Sequence, residues 1–262
     1  MGTEDAAVAI ITRTRNRPVT LDRAIEDVLR QSFSDWQLIV VDDGGDLPST
    51  TRVIERHSRS LGGRAKLLPR ERRRGKEAAS NFGIANSASR YVVVHDDDDT
   101  WHPDFLARGV SRLEASPSSV GGVISGAQQI FERFDDDRLV EIGRRAFPLP
   151  NCPVSMATLT QRNLFPPISF LFRRSALDRV GSFREDLPAL GDWDFNLRFA
   201  RQFKIGVIPD VLAFWHIRHR ARGARGSYAN SPYFDHLAAL MRLRREWGQA
   251  RPYWRYLLFW RY

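Results

Sequence analysis

Tyr91-Val92-Val93-Val94-His95-Asp96-Asp97-Asp98-Asp99-Thr100-Trp101-His102-Pro103 runs from an apolar, β-branched segment into four consecutive aspartates and leaves through Trp-His-Pro. Residues 92–94 read as a buried strand, too short and too β-branched for a helix. Pro103 suits the first turn of a helix, which Phe105, Leu106, Val110 and Leu113 continue at helical spacing. The aspartates therefore occupy a short loop at the carboxyl end of a strand, where open α/β sheets bind ligands. Four adjacent carboxylates repel one another at neutral pH unless they are solvated, partly protonated or neutralised by a cation. Such oxygen ligands suit Mg2+ or Mn2+, and Mg2+ is usually shared with a substrate phosphate.

Upstream, the chain alternates strand and helix patterns. Apolar runs at 8–12, 36–41 and 65–68 read as strands. Between them lie a helix opened by Pro18 and Thr20, with Leu21, Ala24, Ile25, Val28 and Leu29 on its apolar face, and an α/β unit through Val53, Ile54 and Leu61. Ala78, Ala79, Phe82, Ile84 and Ala85 mark a further helix before the central strand. This order predicts a mainly parallel sheet with right-handed crossovers. Regularity falls after residue 116. Residues 120–125 read as a strand, and 128–134 with 138–142 as a hairpin closed by Asp135-Asp136-Asp137, a solvated turn. The 147–163 segment is irregular, 169–172 resumes as a strand and 175–180 as a short helix. Asp192 is placed to cap a helix that buries Trp193, Leu197 and Ala200. Two closing strands, 205–208 and 211–215, precede His216 and His219. An amphipathic helix follows through Phe234, Leu237, Leu240, Met241 and Trp247.

The 262 residues make one large α/β domain, or one with an appended lobe. An apolar share of 42% is enough for a substantial core. The one cysteine, Cys152, excludes an internal disulfide framework and a multi-cysteine zinc site. No secretory signal and no transmembrane helix is expected, which fits a cytoplasmic protein. Net charge is +9 and mostly arginine, since the lysines are Lys66, Lys76 and Lys204 alone. Such a chain attracts nucleic acid, anionic lipid or phosphorylated small molecules. The last residues interleave Trp254, Tyr256, Phe259, Trp260 and Tyr262 with Arg251, Arg255 and Arg261, a pattern suited to a peripheral membrane contact at the inner face or to helix packing.

Five motifs in register from about Val8 to His219 resemble the inverting GT-A glycosyltransferases of family 2. They are the Arg13-Thr14-Arg15-Asn16-Arg17-Pro18 loop, Val40-Val41-Asp42-Asp43-Gly44, the segment from Gly75 to Ile84, the block from Asp96 to Pro103, and Gly191-Asp192-Trp193-Asp194. The resemblance implies a mixed, mainly parallel GT-A sheet flanked by helices. It divides residues 1–220 into a nucleotide-sugar half (1–116) and a smaller acceptor half (117–220), with a helical, basic-aromatic tail at 221–262. It implies transfer of a sugar from a nucleoside-diphosphate donor, UDP- or dTDP-linked by preference, to a saccharide or lipid-linked acceptor in cell-surface polysaccharide or glycolipid synthesis. Asp192 is then the general base. Thr14, Asn16, Asp43, Lys76, Asn81, Asp96 and Asp97 lie on the nucleotide side, and Asp98 holds Mn2+ or Mg2+. His216 completes the metal shell or is a structural strand-end residue, and His219 is a weaker candidate. Relatives carry an arginine where this chain has Gly75 or Lys76, and Pro or Thr where it has Arg13. Homo-oligomers stay open. The competing readings are a basic protein that binds or processes nucleic acid, with no aromatic-interleaved motif outside the tail to favour it, and a silent sugar-binding scaffold, which filled metal and base positions disfavour.

Overall fold

The computed structural model describes residues 6–136, 138–147, 154–218, 226 and 233–248. Asp137, Cys152, His219, the side chain of Phe234 and the aromatic tail at 252–262 lie outside them.

The amino-terminal half is the expected α/β alternation. Strands β1 (Val8–Thr14), β2 (Trp36–Asp43), β3 (Ala65–Arg70) and β4 (Tyr91–Asp96) are parallel, in the order β3-β2-β1-β4. They alternate with helices α1 (Pro18–Leu29), α2 (Leu47–Arg56), α3 (Ser58–Leu61) and α4 (Lys76–Ala85). β1 is buried along its whole length because helices cover both faces. Alternation divides its residues between two cores. Val8 and Ile10 face Leu21, Ile25 and Val28 of α1 together with Leu106 and Leu113 of α5 (Phe105–Glu114). Ala9 and Ile11 face Ala79 and Ile84 of α4 and Phe195, Leu197 and Phe199 of α8 (Gly191–Gln202). Each large apolar side chain removed from water this way contributes about 1.5–3 kcal/mol. The α5 helix starts at Phe105, so Pro103 lies in the turn before it rather than in its first turn.

The second half departs from the parallel pattern and makes the sheet mixed. β6 (Val120–Asp135) is one strand of 16 residues rather than a short strand followed by a hairpin arm. It pairs with β7 (Arg138–Phe147) in the expected hairpin and with β8 (Phe170–Arg173), which is antiparallel to β4. The irregular stretch before β8 contains α6 (Met156–Leu159), and α7 (Leu177–Val180) follows it. β9 (Lys204–Ile217) is also one strand, parallel to β6. The two closing strands expected from sequence are its halves, joined across a bulge where Ser125 pairs with Ile208 and Gly126 with Val211. A two-residue strand, β5 (Thr100–Trp101), pairs with Phe214 and Ala213 of β9. That pairing brings the end of β9 against the acidic loop. Helix α9 (Tyr233–Glu246) buries Leu243 against the α4/α8 core, with Leu240 and Trp247 beside it, whereas Met241 is 45% exposed.

Candidate active site

Three neighbouring parallel strands end at one place. Thr14 pairs with Asp42 across β1 and β2, and Arg13 pairs with Asp96 across β1 and β4. The crevice beyond their carboxyl ends is therefore lined by Arg13–Arg17, Asp42–Gly45 and Asp96–Asp99.

The acidic loop is buried rather than solvated, and arginines surround it. Asp97, Asp98 and Asp99 are each under 5% exposed. Arg13 donates through Nε to Asp96 Oδ1 at 2.8 Å and also pairs with it through Nη2. Arg17 Nη1 lies 3.2 Å from both Asp97 Oδ1 and Asp98 Oδ2. Arg218 pairs with Asp98 Oδ2, and Arg23 donates to the Asp98 carbonyl at 2.6 Å. Glu132 of β6 ties this set to β9. Its Oε1 pairs with Arg23 and sits 2.7 Å from His216 Nδ1, while its Oε2 lies 3.2 Å from Arg218 Nη1. His216 Nε2 is 2.8 Å from Thr100 Oγ1, and the His216 amide donates to Asp99 Oδ1 at 2.9 Å.

The charges shape titration in the ways this packing requires. Burial, only partly offset by Arg17 and reinforced by Asp98, pushes Asp97 up to about 6. Burial and the neighbouring Asp98 hold Asp99 well above the carboxylate range. Burial acts the same way on Glu132, yet its hydrogen bond to His216 and the Arg23 guanidinium win and hold it at about 2. Burial lowers His216. Removing Glu132 takes away the carboxylate that Arg23, Arg218 and His216 share, leaving Arg218 with Asp98 and Arg23 with the Asp98 carbonyl. Glu132→Ala is expected to cost about 3–5 kcal/mol in urea unfolding; a loss under about 1 kcal/mol would contradict this role.

The second wall of the crevice is the amino end of α4. Asp43 Oδ2 accepts from the Gly75 amide at 2.8 Å and Oδ1 from the Arg74 amide at 3.0 Å, with Arg70 Nη1 3.5 Å away. Asp42 instead holds its own turn, accepting from the Gly45 amide and the Thr50 hydroxyl at 2.6 Å each. Asn16 Oδ1 accepts from the Asp46 amide at 2.6 Å. Gly44 has φ +70°, and a Cβ there would lie 2.4 Å from the Arg73 nitrogen. Gly44→Ala is therefore expected to lower stability in urea unfolding by about 1–3 kcal/mol and to displace the Arg72–Arg74 backbone from Asp43; an unchanged midpoint would contradict this packing.

Asp192 lies in the first turn of α8 and is half-buried. It does not cap the helix, as the sequence suggested; Leu190, at φ +60°, stands at the cap, and Asp192 Oδ2 accepts from Asn163 Nδ2 at 2.9 Å. Gly191 meets α4 so closely that an added Cβ would lie 2.5 Å from Glu77 Cγ. Lys76 is where the two walls meet. Burial opposes its charge, but Asp192, Glu77 and Asp96 outweigh that and raise it.

Thr14, Asp96, Asp97, Asp98 and His216 thus lie together, Arg13 links Asp96 to the Lys76 carbonyl at 3.4 Å, and Asp192 follows Gly191, which packs on Glu77; Asp43 and Asn16 are on the adjoining turns. Asn81 does not turn toward this group. Its amide bonds the Phe183 carbonyl at 2.8 Å, the Phe183 amide at 2.9 Å and Glu185 at 2.9 Å, fastening α4 to the segment before α8. Asp194 is bound by Arg198 at 2.8 Å and Arg184 at 3.4 Å. Arg17, Arg23, Glu132 and Arg218 were not expected from sequence. The signal for Glu132 is parity, since it shares the inward face of β6 with Ile130.

A divalent ion fits this donor set in kind. The oxygens are hard, and Asp97 Oδ2 is buried without a hydrogen-bond partner. Arg13, Arg17 and Arg218 are paired with these carboxylates. Among the described residues, the group of three ligand-type side chains whose donor atoms lie within 4.8 Å of one another is Asp22, Glu26 and His57, on the α1–α2 surface. His216 presents both ring nitrogens to Glu132 and Thr100.

Similarity to known proteins follows the same elements. WfgD of Escherichia coli, a UDP-Glc:alpha-D-GlcNAc-diphosphoundecaprenol beta-1,3-glucosyltransferase, is 27% identical over 64% of this chain and 66% of its own length. The structure of Staphylococcus aureus TarS 1-349 in complex with UDP-GlcNAc superposes with a TM-score of 0.68 at 17% identity, covering 86% of this chain and 61% of that one. Mannosyltransferase PcManGT from Pyrobaculum calidifontis, in complex with GDP-Man and Mn2+, gives 0.61 at 21% identity over 94% and 73%. The fold is that of the GT-A glycosyltransferases. The chain spans 23%, 71% and 66% of the length of three curated relatives that it matches. The model of the family described as Glycosyl transferase family 2 matches residues 9–181, from β1 through the acidic loop to the end of α7, and to that family the chain belongs.

Proposed function

We propose that the chain transfers a sugar from a nucleoside-diphosphate donor to an acceptor hydroxyl, inverting the anomeric carbon. The observation that carries this reading is the amino end of α4, where Arg13 joins Asp96 at 2.8 Å to the Lys76 carbonyl at 3.4 Å, while Gly191, beside Asp192, packs on Glu77. The base candidate and the acidic loop therefore flank the same end of α4. Asp192 takes the proton as the acceptor oxygen attacks the anomeric carbon, and the bond from that carbon to the diphosphate oxygen breaks on the opposite face. Asn163 fixes the carboxylate's orientation. Lys76 sets positive charge beside the departing diphosphate. Asp98 would hold Mn2+ or Mg2+, which would neutralise the leaving group's charge, with Asp96 and Asp97 on the nucleotide side. Asp43, Asn16 and Thr14 form the donor side, with the Arg74 and Gly75 amides fixing Asp43.

The donor is UDP- or dTDP-linked in this reading, since a carboxylate at Asp43 suits the N3–H of uracil or thymine. The acceptor is a saccharide or a lipid-linked saccharide, in polysaccharide or glycolipid synthesis. No described helix is long and apolar enough to cross a membrane; contact with a lipid-linked acceptor is assigned to the tail beyond residue 251. Isothermal titration of a nucleotide-sugar panel, with Mn2+ and with EDTA, tests the reading. A UDP- or dTDP-sugar that binds with Mn2+ and loses affinity in EDTA supports it. Absence of binding by every nucleotide sugar, with salt-dependent binding of RNA or DNA instead, would overturn it.

A further inference from the structure

Asp98 is where the proposed function places the divalent ion, and the following inference rests on that placement. The structure shows that Asp98 already has cations. Arg218 Nη2 and Arg17 Nη1 share its Oδ2, and Arg218 is 1% exposed. A divalent ion on this carboxylate meets two guanidinium groups in a site with little water to screen them, and the Asp98 Oδ2 that both arginines use cannot serve all three cations. One arginine has to leave.

The surroundings decide which. Arg17 bridges Asp97 Oδ1 and Asp98 Oδ2 and can keep Asp97 when it gives up Asp98. It also stands at the start of α1, where its carbonyl accepts from the Leu21 amide at 3.0 Å. Arg218 stands just past the last paired residue of β9, since the ladder with β6 ends at Phe131 and Ile217. Its other nitrogen stays on Glu132 Oε2 at 3.2 Å, so the guanidinium has a pivot when it leaves Asp98. A planar guanidinium is also the group that best matches two phosphate oxygens.

We propose that Arg218 is the resident counter-ion of Asp98, which it neutralises while the donor is absent and releases to the divalent ion when a diphosphate arrives to receive its guanidinium. Each charge then keeps a partner throughout: Asp98 passes from arginine to metal, and Arg218 from carboxylate to phosphate. Lone divalent ions bind weakly for this reason, and donor and metal enter together.

The test is Mn2+ binding, followed by titration and by electron paramagnetic resonance, without nucleotide and with UDP or GDP. Arg218→Met is expected to bind Mn2+ alone at least tenfold more tightly than the unmodified chain, and to lose at least tenfold of the tightening that the nucleotide brings. Its unfolding midpoint without metal falls, and Mn2+ alone raises it by more than in the unmodified chain, which a purely structural arginine would not cause. Should Arg218→Met not fold, Arg218→Lys carries the test, because the ammonium cannot span Asp98 and Glu132 together; Mn2+ alone then binds more tightly than in the unmodified chain. Unchanged affinity for Mn2+ alone in the folded variant overturns the counter-ion role and leaves the transferase reading intact. Lack of Mn2+ uptake by the unmodified chain even with UDP or GDP overturns both.

Discussion

Asp192→Asn lowers the turnover number by about 10^2–10^4-fold, the usual contribution of a positioned general base. The substitution keeps the shape and an oxygen that accepts from Asn163, so the first turn of α8 stays in place. It removes the ability to take a proton. Donor affinity is expected to hold, since Lys76 keeps Glu77 and Asp96 as partners. Steady-state kinetics with separate measurement of nucleotide binding check this. A loss under tenfold would show that another group accepts the proton.

The second large effect is at the acidic loop. Asp98→Asn lowers kcat/KM by about 10^2–10^3, the cost of removing one electrostatic contact to the developing charge. It also removes the stimulation by Mn2+. Asp99→Asn is the control. Burial already holds Asp99 well above the carboxylate range, and an amide oxygen still accepts from the His216 amide. Kinetics of the two variants at several Mn2+ concentrations separate a ligand from a buried neighbour; equal losses would mean that the loop acts through its fold alone.

The first half of the fold was legible because parallel strands buried on both faces are written as unbroken apolar runs. Residues 8–11 and 91–94 are such runs, and the helix patterns between them settle the crossovers. The sequence suggests two strands in place of β9 because Pro209 and Asp210 look like a break. The bulge absorbs them without ending the ladder. β5 has two residues and no periodicity to read. At the site, the carboxylates were visible in sequence, whereas their arginine partners were not. Arg13, Arg17, Arg23 and Arg218 look like solvated surface charge until carboxylates from distant elements close on them. Asn81 illustrates the reverse: it belongs to a family motif, yet its amide is bound to the loop before α8.

The central claim is that a divalent ion sits on the Asp98 carboxylate, against a diphosphate and across the crevice from Asp192. Crystals soaked with Mn2+ and UDP or GDP, measured for anomalous scattering, test it most directly. A peak is expected about 2.0–2.6 Å from an Asp98 oxygen, with diphosphate oxygens on its other side and Asp192 facing the gap beyond them. A peak only at Asp22, Glu26 and His57, or nucleotide bound away from the acidic loop, would contradict it.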